Sequence, residues 1–237
     1  MTKEIITVPD QLNSENLISF PETEINMILL RSCGLIHSYT RVHPDILLTK
    51  KEISEAISYL HIKKINPDKT ICIHPGWLQP LSPKSLPVTL VETLITEIEK
   101  RYYIPALILG TSEAAYIAST SHIIRNCIKL QIYHLRTLAA CLSLCKGVIA
   151  ADTGIGHLAA ASGSNVVSLF GPTSIARCSP SGSGSVQIMY NKHLNCLGCM
   201  ENGVPSCKKI PPLCMASFIA SDILQTLLST KKDSQIN

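Results

Sequence analysis

The chain has 237 residues, 46% of them hydrophobic, and a formal net charge of +4. That apolar content supports one large or two small domains with a proper core, and the mild, scattered basic charge gives nucleic-acid binding no support. No window holds the roughly eighteen uninterrupted apolar residues of a membrane helix, and the opening MTKEIITVPDQLNSENLISF lacks an apolar stretch after a basic start, so a cytoplasmic globular protein is expected.

In chain order, PETEINMILLRSCG has a Pro start, early acids, Ile25, Ile28 and Leu29 on one face and a Gly stop, which predicts a helix. HPDILLTKKEISEAISYLHIKK predicts a short extended piece and then a helix, with Thr49 as N-cap and Glu52 at capping-box spacing. Alternation follows. Strand TICIHPG leads through WLQPLSPKSLP into a helix from Val88; strand PALILG leads into a short helix SEAAYIAST; NCIKLQI precedes the helix HLRTLAACLSLC. GVIAADTG, a helix around HLAAASG and strand NVVSLFG complete the series. Short apolar strands alternating with helices predict a single Rossmann-like, doubly wound parallel α/β sheet.

In such sheets ligands bind beyond the carboxyl ends of the strands. There the sequence places DTGIGH, with HPGW, LGTSE and LFGPTS at three other strand ends. Glycines admit close approach of a ligand to the backbone, and a helix start offers N–H groups to phosphate, so a phosphate-bearing nucleotide derivative is the ligand class these residues suggest. Taken singly, each residue has a plainer role. Gly154 and Gly156 serve equally as turn residues, Asp152 as a helix N-cap, His157 as a satisfied, partly buried imidazole, Lys84 as a solvated loop lysine and Glu113 as a first-turn acid. The functional reading rests on their convergence. The dinucleotide fingerprint G-x-G-x-x-G is not completed here.

Of the ten cysteines, Cys33, Cys72, Cys127, Cys141, Cys145 and Cys178 are dispersed, mostly in apolar patterns, and read as small core residues. Cys196, Cys199, Cys207 and Cys214 cluster in CLGCMENGVPSCKKIPPLCM. Reduced thiols, a four-thiolate zinc site and disulfides all stay open for these four, the last disfavoured in a cytoplasmic protein. The working assignment is no metal, with zinc at these four as the alternative, and no cofactor.

IHPGW, KSLP, LGTSE and ADTGIGHLAAASGSNVVSLFGPTS, followed by SPSG and the late CLGC and CM, together resemble glycosyltransferase family 9, the heptosyltransferases of lipopolysaccharide core synthesis. The resemblance runs from about Asn16 to the end of the chain. It implies the C-terminal, donor-binding half of a GT-B enzyme, in which two Rossmann-like domains face a cleft. The donor would be ADP-heptose or a related nucleotide sugar and the acceptor a lipopolysaccharide core. By the same resemblance, Asp152 would bond donor-sugar hydroxyls, Thr153 and Gly154 would hold the diphosphate through backbone N–H groups, and His157 would stand close to it. Lys84 would neutralise phosphate charge, Glu113 would contact the ribose, and Tyr133 would present backbone to the adenine. Such fixed donors suit an inverting transfer, where the leaving diphosphate gains charge.

The chain departs from the family pattern around its first strand end, where the loop from His74 to Lys84 is longer than the pattern has it. Leu86 replaces the Trp of the family's K-x-W-P, and Gly76 and Trp77 stand where some relatives carry hydroxyls. Residues 1–66 read as a helical linker or N-terminal remnant, and 67–237 as the nucleotide-sugar-binding domain with a Cys-rich loop and a C-terminal helix. The resemblance therefore leaves the acceptor domain and its catalytic base unmatched. The isolated chain is expected to be inactive unless a separate chain supplies the acceptor-binding domain; the alternative is a non-catalytic nucleotide-sugar-binding module or a degenerate remnant. Peripheral association at the inner membrane is the most membrane contact expected.

Overall fold

The computed structural model describes residues 22–35, 43–76, 82–110, 121–132, 134–200, 207 and 211–230. Short apolar runs become six strands: β1 (Thr70–His74), β2 (Ile104–Ile108), β3 (Ile128–Leu130), β4 (Gly147–Ala151), β5 (Val166–Leu169) and β6 (Val186–Met189). They form one sheet in the order β3-β2-β1-β4-β5-β6, with every neighbouring pair parallel. Strands covered on both faces need no polar side, which is why β4 is buried at every position and reads as an unbroken apolar run.

The alternating side chains of the strands feed two cores. On one face Ile71, Ile73, Leu107, Ile149, Val167 and Leu169 pack beneath α3 (Val88–Lys100) and α9 (Ala220–Ser229). On the other, Cys72, Ala106, Ile108, Val148, Ala150 and Val166 meet α2 (Lys50–Ile62), α5 (Leu135–Leu144) and α6 (Gly154–Ala161). The chain is thus wound on both sides of the sheet, as the alternation predicts.

Helix signals read in the sequence recur with their chemistry. α1 (Glu22–Ser32) ends before Gly34, which adopts φ +68° in the left-handed region where glycine is favoured. α2 carries the full capping box, with Thr49 Oγ1 accepting from the Glu52 N–H and the Glu52 carboxylate accepting from the Thr49 N–H. The same carboxylate holds Arg136 at the start of α5, through Nε and through Nη2 at 2.9 Å, and Nη2 also donates to Leu47 O at 2.8 Å. Glu52 therefore caps one helix and ties it to the next, and these bonds keep its carboxyl down at about 2.

Several short elements go beyond the sequence reading. β6 is a sixth strand beside β5, and α4 (His122–Asn126) precedes β3, capped by Ser121, whose hydroxyl accepts from the Ile124 N–H. Ser121 Oγ also donates to Glu92 of α3, fastening α4 to that helix. The expected helix SEAAYIAST lies outside the described residues. Short α7 (Ile175–Cys178), α8 (Leu213–Ala216) and a 3-10 turn at Pro67–Lys69 complete the described elements.

Candidate functional site

The strand order reverses direction between β1 and β4: from β1 the chain winds outward through β2 and β3, and from β4 it winds the other way. Helices flanking such a switch point diverge and leave a crevice at the carboxyl ends of its two central strands, where ligands bind. Those ends are His74-Pro75-Gly76 and Ala151-Asp152.

Each side of the crevice is built tightly. Gly76 sits at φ +92°, and a Cβ there would lie 3.1 Å from Ser85 Cα and 3.3 Å from Ala151 Cβ. Leu86 donates its N–H to Pro75 O at 2.7 Å and is fully buried. The KSLP segment is therefore laid directly on the end of β1, with Ser85 buried and Lys84 next to it, facing β4. Where the family pattern has Trp, the smaller Leu86 joins the core beside Leu90 and Val91.

From that position Lys84 Nζ reaches Asp152 Oδ2 at 3.0 Å. Asp152 is 6% exposed and the Lys84 side chain 32% exposed, so a nearly dry carboxylate meets an ammonium that keeps access to solvent. Among the described residues this is the one hydrogen bond and ion pair of either group. The expected N-cap role of Asp152 is corrected: Thr153 is the N-cap of α6, Asp152 precedes it, and its carboxylate is turned to Lys84.

Thr153 makes no side-chain cap; its hydroxyl donates back to Ala151 O at 3.3 Å. The start of α6 thus keeps first-turn N–H groups without a capping side chain, beside a lysine. Gly154 and Gly156 are helical rather than turn residues. They do different work. Among the described residues a Cβ at Gly154 would meet nothing within 4 Å beyond its own helix, whereas at Gly156 it would contact Ala150 Cβ at 3.6 Å and Ser168 Oγ at 3.7 Å. Gly156 lets the helix lie on the sheet, and Gly154 faces open space at the helix start. His157 is exposed on the first turn, so the partly buried imidazole is not observed.

The remaining candidates stand apart from this cluster or beyond description. Glu113, Tyr133 and Trp77 lie outside the described residues. Cys196, Cys199, Cys207 and Cys214 are free thiols, and among the described residues no three His, Cys, Asp or Glu side chains are grouped so as to hold a metal ion. Burial pushes the Cys214 thiol up to about 11, and the three other thiols add to that. Two rim residues escaped the sequence reading. His74 holds Ile108 O at 3.0 Å through Nδ1, which must carry the proton, and Thr173 Oγ1 is buried without a partner just past β5. Their signal lies in HPGW and LFGPTS, strand ends whose composition gives neither side chain a role.

A family model described as glycosyltransferase family 9 (heptosyltransferase) matches residues 111–209. No curated protein matches the chain. Among solved structures, a family 9 glycosyl transferase from Veillonella parvula is 14% identical, with a TM-score of 0.66 over 89% of this chain and 60% of its own. The E. coli ADP-heptose lps heptosyltransferase II is 17% identical, with a TM-score of 0.56 over 81% of this chain and 55% of its own. E. coli heptosyltransferase WaaC with ADP is 16% identical, with a TM-score of 0.53 over 86% of this chain and 54% of its own. The chain therefore shares its fold with these heptosyltransferases, resembles their family in sequence, and spans little more than half their length. The matched stretch takes in Asp152, Thr153, Gly154 and His157 but not Lys84.

Proposed function

We propose that the chain binds a nucleoside-diphosphate sugar of the ADP-heptose type in the crevice between β1 and β4, as the donor-binding unit of a heptosyltransferase-like glycosyltransferase. The observation that carries this reading is the Lys84–Asp152 pair at the switch point, beside the uncapped start of α6. A diphosphate fits the helix start, where the open face of Gly154 allows close approach and N–H groups and the helix dipole favour anions. Lys84 adds a full positive charge within reach of the same place. Asp152, at the strand end, is the acceptor for sugar hydroxyls.

These groups do for transfer what a leaving diphosphate requires. As the glycosidic bond to phosphate breaks, negative charge builds on the diphosphate, and fixed N–H groups with an ammonium stabilise it more than the ground state. A general base within hydrogen-bond reach of the acceptor hydroxyl is also needed. Asp152, already paired with Lys84 and committed to the sugar, does not fill that role. In this reading the base and the lipopolysaccharide acceptor site come from an acceptor-binding unit. The similarity to enzymes of nearly twice the matched length supports that division. Glu113 and Tyr133 are proposed to complete the nucleoside site.

Calorimetric titration with ADP-heptose, ADP and a UDP-sugar tests the reading. Adenine nucleotides should be preferred, and Asp152→Ala should weaken the sugar-bearing donor most. Absence of binding to all three at millimolar concentration overturns the donor site. Sugar transfer by this chain alone would overturn the assignment of the base to another unit.

A further inference from the structure

The ion pair that marks the site also constrains how the site fills, and this inference rests on the donor-binding reading above. Asp152 is fixed: it follows directly on β4, between buried Ala151 and the N-cap Thr153, and at 6% exposure it has little water to fall back on. A carboxylate in that position needs a partner, because an unpaired buried charge is strongly disfavoured. Lys84 is the less enclosed member. Its side chain is one-third exposed, its stem is flexible, and the backbone beneath it is pinned by Leu86 and Ser85.

An anion at the start of α6 competes with Asp152 for the Lys84 ammonium. A bare nucleoside diphosphate supplies that anion but brings no hydroxyl to Asp152. It must then either forgo Lys84 or strand the carboxylate. A nucleotide sugar supplies both groups at once: phosphate oxygens take the ammonium, and sugar hydroxyls take the carboxylate.

We propose that Lys84 is exchanged from Asp152 to the diphosphate when the donor binds and returns when the sugar has left, so that the buried Asp152 charge makes the site discriminate against the bare nucleoside diphosphate. Asp152 is then a specificity-determining residue as well as a sugar contact. After transfer, the carboxylate without its sugar recaptures Lys84 and weakens the hold on the product.

The test is titration of the full chain with ADP and with ADP-heptose, in the wild type and in Asp152→Asn, Lys84→Met and the double variant, each first checked for an unchanged melting profile. Asn keeps the shape and a hydrogen-bonding group but removes the charge that competes for Lys84. ADP should therefore bind Asp152→Asn more tightly than wild type, and the donor-to-ADP affinity ratio should fall by roughly tenfold, the size expected for one charge-assisted hydrogen bond. In Lys84→Met the wild-type response of ADP to Asp152→Asn should disappear, since no ammonium remains to be competed for. If Asp152→Asn weakens ADP, or leaves the ratio unchanged while both ligands still bind, the exchange is wrong and the donor site stands. If neither ligand binds the wild type, both fail. Should Asp152→Asn not fold, the salt-independent part of the ADP difference between wild type and Lys84→Met decides: a gain in ADP affinity on removing the lysine overturns the exchange.

Discussion

Gly76 and Ser85 are packed together at the end of β1, so closely that a Cβ on Gly76 would stand 3.1 Å from Ser85 Cα. The neighbour is main chain, which has little room to give, and φ +92° is closed to most L residues. Gly76→Ala should therefore lower stability by about 1–3 kcal/mol and push the KSLP segment away from β4, carrying Lys84 off Asp152. Urea denaturation checks the first effect. Weaker ADP binding in the fraction that folds checks the second.

The Glu52–Arg136 pair predicts an acid-side loss of stability. Glu52 is held at about 2 in the fold, below the ordinary 4.5, first by the Arg136 hydrogen bond and then by Thr49. A depressed carboxyl contributes stability above its unfolded value that is lost as pH falls through the folded one. Glu52→Gln keeps a capping group at the third helical position while removing the charge. The melting temperature of wild type should thus exceed that of Glu52→Gln near neutrality, with the gap closing between about pH 5 and pH 2. The effect is small because the pair is solvent-screened. A constant gap over that range would show that the charge contributes nothing.

Much of the fold was legible because strands buried on both faces are apolar throughout, as in GVIAA and TICIH, and short runs of this kind bounded by helices have few other solutions. β6 was not legible for the opposite reason: VQIM lies at the sheet edge, is only partly buried and carries a polar Gln187. α4 is one turn and a half, too short for a periodic signal, and only Ser121 marks its start. At the site, the composition of each strand end was readable and their pairing was not. Lys84 and Asp152 are 68 residues apart, and only the β1–β4 pairing, with Leu86 bound to Pro75, brings them together. The N-cap expectation for Asp152 failed by one residue: Thr153 opens α6, and the Asp152 carboxylate is bonded to Lys84, a tertiary contact that a local pattern does not show.

Cysteine accessibility divides the thiols into two reactivity classes. Cys72, Cys141 and Cys127 lie in the sheet cores with thiols pushed up, Cys127 and Cys141 to about 12 by burial and Cys72 first by its bond with Cys145. A buried thiol kept protonated is a poor nucleophile. Cys196 is exposed. Iodoacetamide on the native protein, followed by peptide mass spectrometry, should label Cys196 first and Cys72, Cys127 and Cys141 only after denaturant is added. Early labelling of Cys72 would mean that the sheet opens readily. Absence of Cys196 labelling until a chelator or reductant is added would point instead to zinc or a disulfide in the late cluster.

Gly154 offers a separation of binding from stability. It is the first residue of α6, and an added Cβ would have no neighbour among the described residues within 4 Å beyond its own helix. Alanine there costs the fold nothing in contacts and gains helix propensity, up to about 1 kcal/mol. The same methyl group would occupy the face across which the proposed diphosphate would approach the helix start. Gly154→Ala is therefore expected to melt at or above the wild-type temperature while binding ADP at least several-fold more weakly. Gly156→Ala is the control, since its Cβ turns toward Ala150 and Ser168 in ordinary contact and away from the opening; it should leave ADP binding near the wild-type value. If both variants bind ADP as wild type does, the diphosphate does not lie against the start of α6.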